Sequence, residues 1–255
     1  MKLNIKKEIL KRNLLLTIKY DGTNYHGWQI QKNALTVQEM FQKALYRVIG
    51  NYPDIKGCSR TDAGVHANMY CISFKLDHTI PPLRLVMALN RYLPNDIAAI
   101  DCQEVPIDFH ARYSCKGKEY IYKILNAQVP DPFLNGYAMR YWYPIDVEKL
   151  NEASKSYIGK HDFTSFCTLD SRKKGDMVRT VKSFEVTREE NLVLFKVEAD
   201  GFLYNMVRIM VGTLLSIQQG KKDKDSINDI IKACDRSKAG PKAVACGLYL
   251  NKVFY

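Results

Sequence analysis

The chain of 255 residues carries no paired cysteine motif. Its seven cysteines, at 58, 71, 102, 115, 167, 234 and 246, are odd in number and no two stand as C-x-x-C. That excludes a regular disulfide framework and a zinc ribbon. The five histidines form no H-E-x-x-H pair, so a metal-dependent hydrolase lacks its ligand spacing. No apolar run approaches the ~20 residues that a membrane span needs. Met1 to Asn13 alternates Lys and Arg with single apolar residues, without the continuous apolar segment or small-residue cleavage site of a signal peptide. The expectation is a soluble, cytoplasmic protein with no membrane partner. Acidic residues are also in deficit, 27 against 38 basic, which leaves a net charge of +11 and a pI near 9.2. Such a surplus favours polyanionic partners, because each phosphate contact releases counterions. The basic clusters at Lys6-Lys7, Lys11-Arg12, Arg172 to Lys174 and Lys221 to Lys224 are dispersed. They suit a folded basic surface that contacts phosphates better than a disordered arm.

What the chain does contain is a regular alternation of strand and helix signals, with an apolar share of 46% that can fill a sizeable core. Leu14 to Tyr20 reads as a strand broken by Asp21-Gly22. Thr36-Val37-Gln38-Glu39 is a capping box. Behind it Val37, Met40, Phe41, Ala44, Leu45, Val48 and Ile49 follow the helical period, and Gly50 ends the helix. Strands at 55–59 and 69–75, a helix from Pro82 to about Tyr92 and a strand at 97–102 complete a β-α-β-β-α-β order, the split ferredoxin-like arrangement. RNA-recognition modules use the open face of such a sheet.

The second half repeats the theme with insertions. Strands are expected at 109–114, 119–125, 181–187, 192–199 and 248–251, and helices at 147–158, 203–219 and 227–234. The fold class is therefore α+β, as two ferredoxin-like or RRM-like halves whose antiparallel sheets flank a central basic cleft. The halves span 1–105 and 106–255, and with no Gly/Ser-rich linker between them they are expected to pack as one body.

The most specific segment is Cys58-Ser59-Arg60-Thr61-Asp62-Ala63-Gly64-Val65-His66-Ala67. It sits in a loop between two expected strands, where a scaffold presents functional groups. Taken alone, R-T-D suits a turn-capping Asp with a surface ion partner. The whole string, however, resembles the catalytic loop of the tRNA pseudouridine synthase A family. Further matches follow in that family's order: Tyr20-Asp21-Gly22-Thr23 with Gly27-Trp28-Gln29, Thr36 to Glu39, Phe109 to Arg112, Lys118 to Tyr122, His161 to Phe166, Arg179-Thr180-Val181, Phe202 to Arg208 and Gly247 to Leu250. Two departures stand out: Ser59 where the family usually has Gly, and Val244 where it commonly has Pro.

The resemblance implies an isomerase that converts uridine to pseudouridine in the anticodon stem-loop of tRNA, by base flipping, as a homodimer. The N1–C1′ bond breaks, the base turns and C5 rejoins C1′; nothing is oxidised or imported, so no cofactor and no metal are expected. A carboxylate serves such chemistry as nucleophile or as electrostatic stabiliser, and an aspartate of ordinary pKa, about 3.9, is ionised at neutral pH. By resemblance Asp62 is that carboxylate, Tyr120 stacks on the target base and handles a proton, and Arg208 pairs with Asp62. Arg208 lies among Met206, Ile209, Met210 and Leu214, so as a buried cation it needs a carboxylate partner. Arg60, Tyr120, His66 and Arg112 are the expected substrate-binding residues, with Arg60 filling the space of the extruded nucleotide or holding its phosphate. His26 reads as structural or RNA-contacting, and Trp28 and Trp142 as packing residues. A catalytically inert RNA-binding protein and a related synthase acting on another RNA are the competing readings.

Overall fold

A computed structural model describes residues 11–168 and 175–255. The clusters Lys6-Lys7 and Arg172 to Lys174, expected to meet phosphates, lie outside the described residues. The first six elements are β1 (Arg12–Tyr20), α1 (Val37–Ile49), β2 (Lys56–Gly57), β3 (His66–Leu76), α2 (Pro82–Leu89) and β4 (Ile97–Val105). β5 (Gly117–Leu125), β6 (Met139–Arg140), α3 (Val147–Ser154), β7 (Gly159–Asp162), β8 (Val178–Glu189), β9 (Leu192–Ala199), α4 (Met206–Gln218), α5 (Ser226–Ala233) and β10 (Leu248–Phe254) follow.

α1 forms where the apolar period and both caps agree. Thr36 Oγ1 accepts from the Glu39 amide at 3.4 Å, and Gly50 closes the helix in the left-handed region at φ 76°, where glycine carries no Cβ penalty. The capping box closes on one side only, because the Glu39 carboxylate bonds Lys43 at 2.6 Å. Two first-turn amides instead reach back to the Gly27 and Trp28 carbonyls, which ties the helix start to the segment before it. Phe41 and Leu45 are fully buried, worth roughly 1.5–3 kcal/mol each.

Where two sheets are expected, the strands form one, in the order β4-β1-β3-β10-β5-β9-β8-β7, with β2 on β3 and β6 on β5. The joint is the C-terminal strand: β10 pairs antiparallel with β5 and parallel with β3 through Tyr249–His66 and Leu250–Ala67. The last strand therefore lies at the middle of the sheet. α1 and α2 pack over the first-half strands, with Phe41 edge-on to Phe74 at 6.5 Å. α3 and α4 pack over the second-half strands, and all but the last residue of α4 are buried, as an all-round apolar helix requires.

The expected strand at 109–114 is absent, and the segment is a set of turns. Its alternation of apolar and polar residues is used differently. The Arg112 amide donates to His110 Nδ1 at 3.1 Å and the Ala111 amide to Ser73 Oγ at 2.9 Å, so side chains take the bonds that a ladder would supply. α4 begins three residues later than expected because Asn205 adopts φ 63°. Among the described residues no helix is long and apolar enough to cross a membrane, and all seven cysteines are free thiols.

Candidate active site

The 58–65 loop joins β2 to β3 and is held from below by the 20–28 segment. The Asp62 carbonyl accepts from the Val65 amide at 3.2 Å, and Gly64 has φ 75°, the glycine that the third position of a type II turn demands. The Gly64 amide bonds the Tyr25 carbonyl at 3.1 Å and the Trp28 amide bonds the Thr61 carbonyl at 3.2 Å. Tyr20 and Thr61 share a hydroxyl hydrogen bond of 2.8 Å, and the Tyr70 hydroxyl donates to the Ser59 carbonyl. Trp28 is buried and stacks on Tyr70 at 4.2 Å. Gly22 and Gly27 let the two segments touch: a Cβ on Gly22 would collide with the Val65 carbonyl oxygen, and one on Gly27 with that of Thr61. The Y-D-G-T and G-W-Q motifs are thus the cradle of the Asp62 loop.

Above the loop lies a cleft of about 880 Å³ lined by Arg60, Asp62, Arg112, Lys118, Tyr120 and Arg179, with Phe202 to Val207 along one wall. At its base Arg208 Nη1 lies 3.2 Å from Asp62 Oδ2. Arg208 is anchored further by Nε to the Ala243 carbonyl at 2.8 Å and by Nη1 to Asn205 Oδ1 at 3.1 Å. The left-handed Asn205 starts α4 and spans from Arg208 to the Thr168 hydroxyl at 2.9 Å. Sequence reading did not single out Asn205; its signal is the i, i+3 spacing to Arg208 across the helix start.

Burial raises the Asp62 carboxyl above its ordinary value, and the Arg208 charge, its hydrogen bond and the more distant Lys242 pull the other way. Tyr120 is 6% exposed; its ring meets Phe202 edge-on at 5.0 Å and its hydroxyl lies 3.4 Å from Ser59 Oγ. Burial pushes the Tyr120 phenol up, so at neutral pH it keeps its proton.

The structure brings Asp62, Tyr120, Arg60 and Arg112 to one cleft, with Arg208 bonded to Asp62 behind it. Arg60 and Arg112 are exposed at its rim. It does not bring His66 there. His66 is 1% exposed and stacks on Tyr249 at 4.6 Å. Its Nδ1 accepts from the Gly22 amide at 3.0 Å, which leaves the proton on Nε2, between the Gly136 and Cys246 carbonyls at 3.1 and 3.2 Å. Asp21 Oδ1 stands 3.1 Å from Nδ1, a contact that would become an ion pair only on protonation. Burial lowers the His66 pKa and the Gly22 amide already fills Nδ1, so the ring is neutral. With both nitrogens bonded within the protein, His66 ties β3 and β10 to the cradle. Trp142, expected to pack, is instead 48% exposed, with the Arg140 guanidinium 5.5 Å from its ring.

Neither departure from the family's motifs disturbs the backbone. Ser59 is not among the residues with positive φ, so a side chain fits without strain. Val244 adopts φ −62° and ψ 157°, close to the φ that proline would fix. Among the described residues no group of three or more His, Cys, Asp or Glu is placed to hold a metal ion.

The chain matches the family model described as tRNA pseudouridine synthase over residues 16–114 and 153–255. It is 46% identical over 244 residues to tRNA pseudouridine synthase A of Thermoanaerobacter sp. (strain X514), covering 96% of this chain and 100% of that protein. To tRNA pseudouridine synthase A of Clostridium acetobutylicum it is 45% identical with the same coverage. Likeness to a solved H/ACA RNP bound to a substrate RNA containing 2′-deoxyuridine is slight, with a TM-score of 0.36 at 14% identity over 80% of this chain and 43% of that one. The extent of the family match, together with relatives aligned end to end, shows that this chain belongs to the tRNA pseudouridine synthase family.

Proposed function

We propose that the Asp62 cleft isomerises uridine to pseudouridine in the anticodon stem-loop of tRNA. The observation that carries this reading is the Asp62–Arg208 pair, 3.2 Å apart, in an open cleft beside a buried tyrosine. A carboxylate held by one fixed cation and facing a cavity is arranged to act on a bound group; an RNA-binding surface has no use for it. In the reaction the N1–C1′ bond breaks, a C5–C1′ bond forms, C5 loses a proton and N1 gains one. Asp62, ionised, meets the charge that develops when the glycosidic bond breaks. Arg208 orients the carboxylate through Nη1 while the Ala243 carbonyl and Asn205 hold the guanidinium. Tyr120 enters as a neutral phenol, able to face the base with its ring and to donate through its hydroxyl.

Arg60 and Arg112, exposed at the rim, take the extruded nucleotide and its neighbouring phosphates. A planar guanidinium both stacks and bonds phosphate, which suits a site that removes a base from a stem. The halves 1–105 and 106–255 are two ferredoxin-like units. In support, once the short strands β6 and β7 are set aside and each half is numbered by itself, the strand orders β4-β1-β3-β2 and β10-β5-β9-β8 are the same. The enzyme works in the cytoplasm as a homodimer, whose two clefts would offer one tRNA a larger basic surface; light scattering of the purified protein tests the dimer. The function is tested by incubating the protein with unmodified tRNA and mapping pseudouridine by chemical sequencing. Conversion confined to the anticodon arm is expected; binding without conversion would leave an inert RNA-binding protein.

A further inference from the structure

We propose that Lys118 is a substrate-binding residue whose ammonium takes the backbone phosphate flanking the target uridine; the proposal rests on the pseudouridine synthase reading above. Lys118 stands on β5 two residues before Tyr120. Alternate residues of a strand share a face, and both side chains line the Asp62 cleft. Only 8% of Lys118 is exposed. Its neighbouring carboxylates are engaged elsewhere: Glu198 bonds Lys182 at 2.9 Å, and Glu119, on the opposite parity of the strand, accepts from Asn251 at 2.5 Å with Lys252 at 3.8 Å.

Among the described residues Lys118 Nζ has no hydrogen bond and no ion pair, yet it is not a sealed, orphaned atom, a condition found only at Arg12 Nε. A buried cation without an anion is costly, and among the described residues the cleft offers Lys118 no spare partner. Asp62 is held by Arg208, and Asp176 caps the Val178 amide at 2.8 Å. The missing anion therefore comes with the ligand. Two residues of strand span about 6.6 Å, a step comparable to that from a nucleobase to its own phosphate. With the target base against Tyr120, Lys118 falls beside that phosphate, deeper in the cleft than Arg60 or Arg112.

The test compares wild type with Lys118→Met, which keeps the length and removes the charge, and with Lys118→Arg, which keeps it. Affinity for unmodified tRNA is measured across a salt series alongside conversion kinetics. Lys118→Met is expected to weaken binding about tenfold and to flatten the slope of log affinity on log salt by roughly 0.7–0.9. KM should rise in step while kcat changes by less than about twofold, and Lys118→Arg should recover the slope. A tRNA with one methylphosphonate beside the target uridine should weaken wild type by a similar factor and leave Lys118→Met unaffected. An unchanged salt slope in Lys118→Met, a fall in kcat instead of affinity, or equal damage to both proteins from the methylphosphonate would overturn the proposal. If Lys118→Met does not fold, the methylphosphonate result on wild type decides, and indifference to that neutral phosphate overturns it. A wild type that binds tRNA without converting it would sink the enzymatic reading instead, so the two failures are distinguishable.

Discussion

Arg208 Nη1 and Asp62 Oδ2 lie 3.2 Å apart across 146 residues of sequence, a charged contact between the second half of the chain and the loop of the first. Arg208 belongs to an all-round buried helix and Asp62 to a surface loop with a 23% exposed side chain. The helix supplies a cation that water cannot easily reach, and the loop supplies a carboxylate that a substrate can.

The pH dependence of activity follows from that pairing. Burial raises the Asp62 carboxyl and Arg208 lowers it, so the acidic limb of kcat/KM should lie above the ordinary aspartate value of about 3.9. Arg208→Leu removes the lowering partner and leaves the burial. The limb is expected to move to higher pH, with about 1–3 kcal/mol lost from the fold as Ala243 and Asn205 lose their donor. A pH–rate series on both proteins checks this; a limb that stays in place would mean that Asp62 titration does not govern the rate.

Gly22 is where the cradle and the catalytic loop touch. In Gly22→Ala the new methyl meets the Val65 carbonyl, which belongs to the turn that carries Asp62. The loop must shift, and a displacement of about 1 Å of a catalytic group costs on the order of a hundredfold in rate. The expected outcome is a fall of about that size in kcat/KM with an unchanged far-ultraviolet circular dichroism spectrum. Full activity would show that the 20–28 segment does not set the Asp62 geometry.

His66 should show itself in stability and not in binding. Its folded pKa is depressed by burial, so the neutral ring supports the fold above the unfolded value of about 6.5. That support is lost as pH falls from there through the lower folded value. Denaturant midpoints should therefore drop between pH 7 and pH 5 in wild type, and drop less in His66→Gln. The tRNA affinity of His66→Gln should match wild type under conditions where it is folded. A marked loss of affinity there would return His66 to the substrate-binding set.

Much of this site was legible because local and chemical signals coincided. α1 carried an apolar period, an N-cap threonine and a terminating glycine, and its bounds followed. Arg208, a cation amid Met206, Ile209 and Met210, requires a carboxylate partner on its sequence context alone. The rest depended on contacts that no local pattern records. Phe109 to Ser114 alternates like a strand, but Ser73 and the His110 ring take its amides. β6 and β7, of two and four residues, exist only by pairing with β5 and β8. That β10 joins both halves into one sheet is a tertiary fact. His66 sits three residues past Ala63 in the most specific motif of the chain, yet its burial is set by Gly136, Cys246 and Tyr249, all distant in sequence.

The most direct measurement is conversion and binding side by side for wild type and Asp62→Asn on unmodified tRNA. The asparagine keeps the shape and an acceptor for Arg208 but cannot carry the charge. The account predicts loss of pseudouridine formation by roughly a thousandfold or more, with tRNA affinity within about threefold of wild type. Conversion by Asp62→Asn at a rate near that of wild type would contradict the assignment of Asp62 as the catalytic carboxylate.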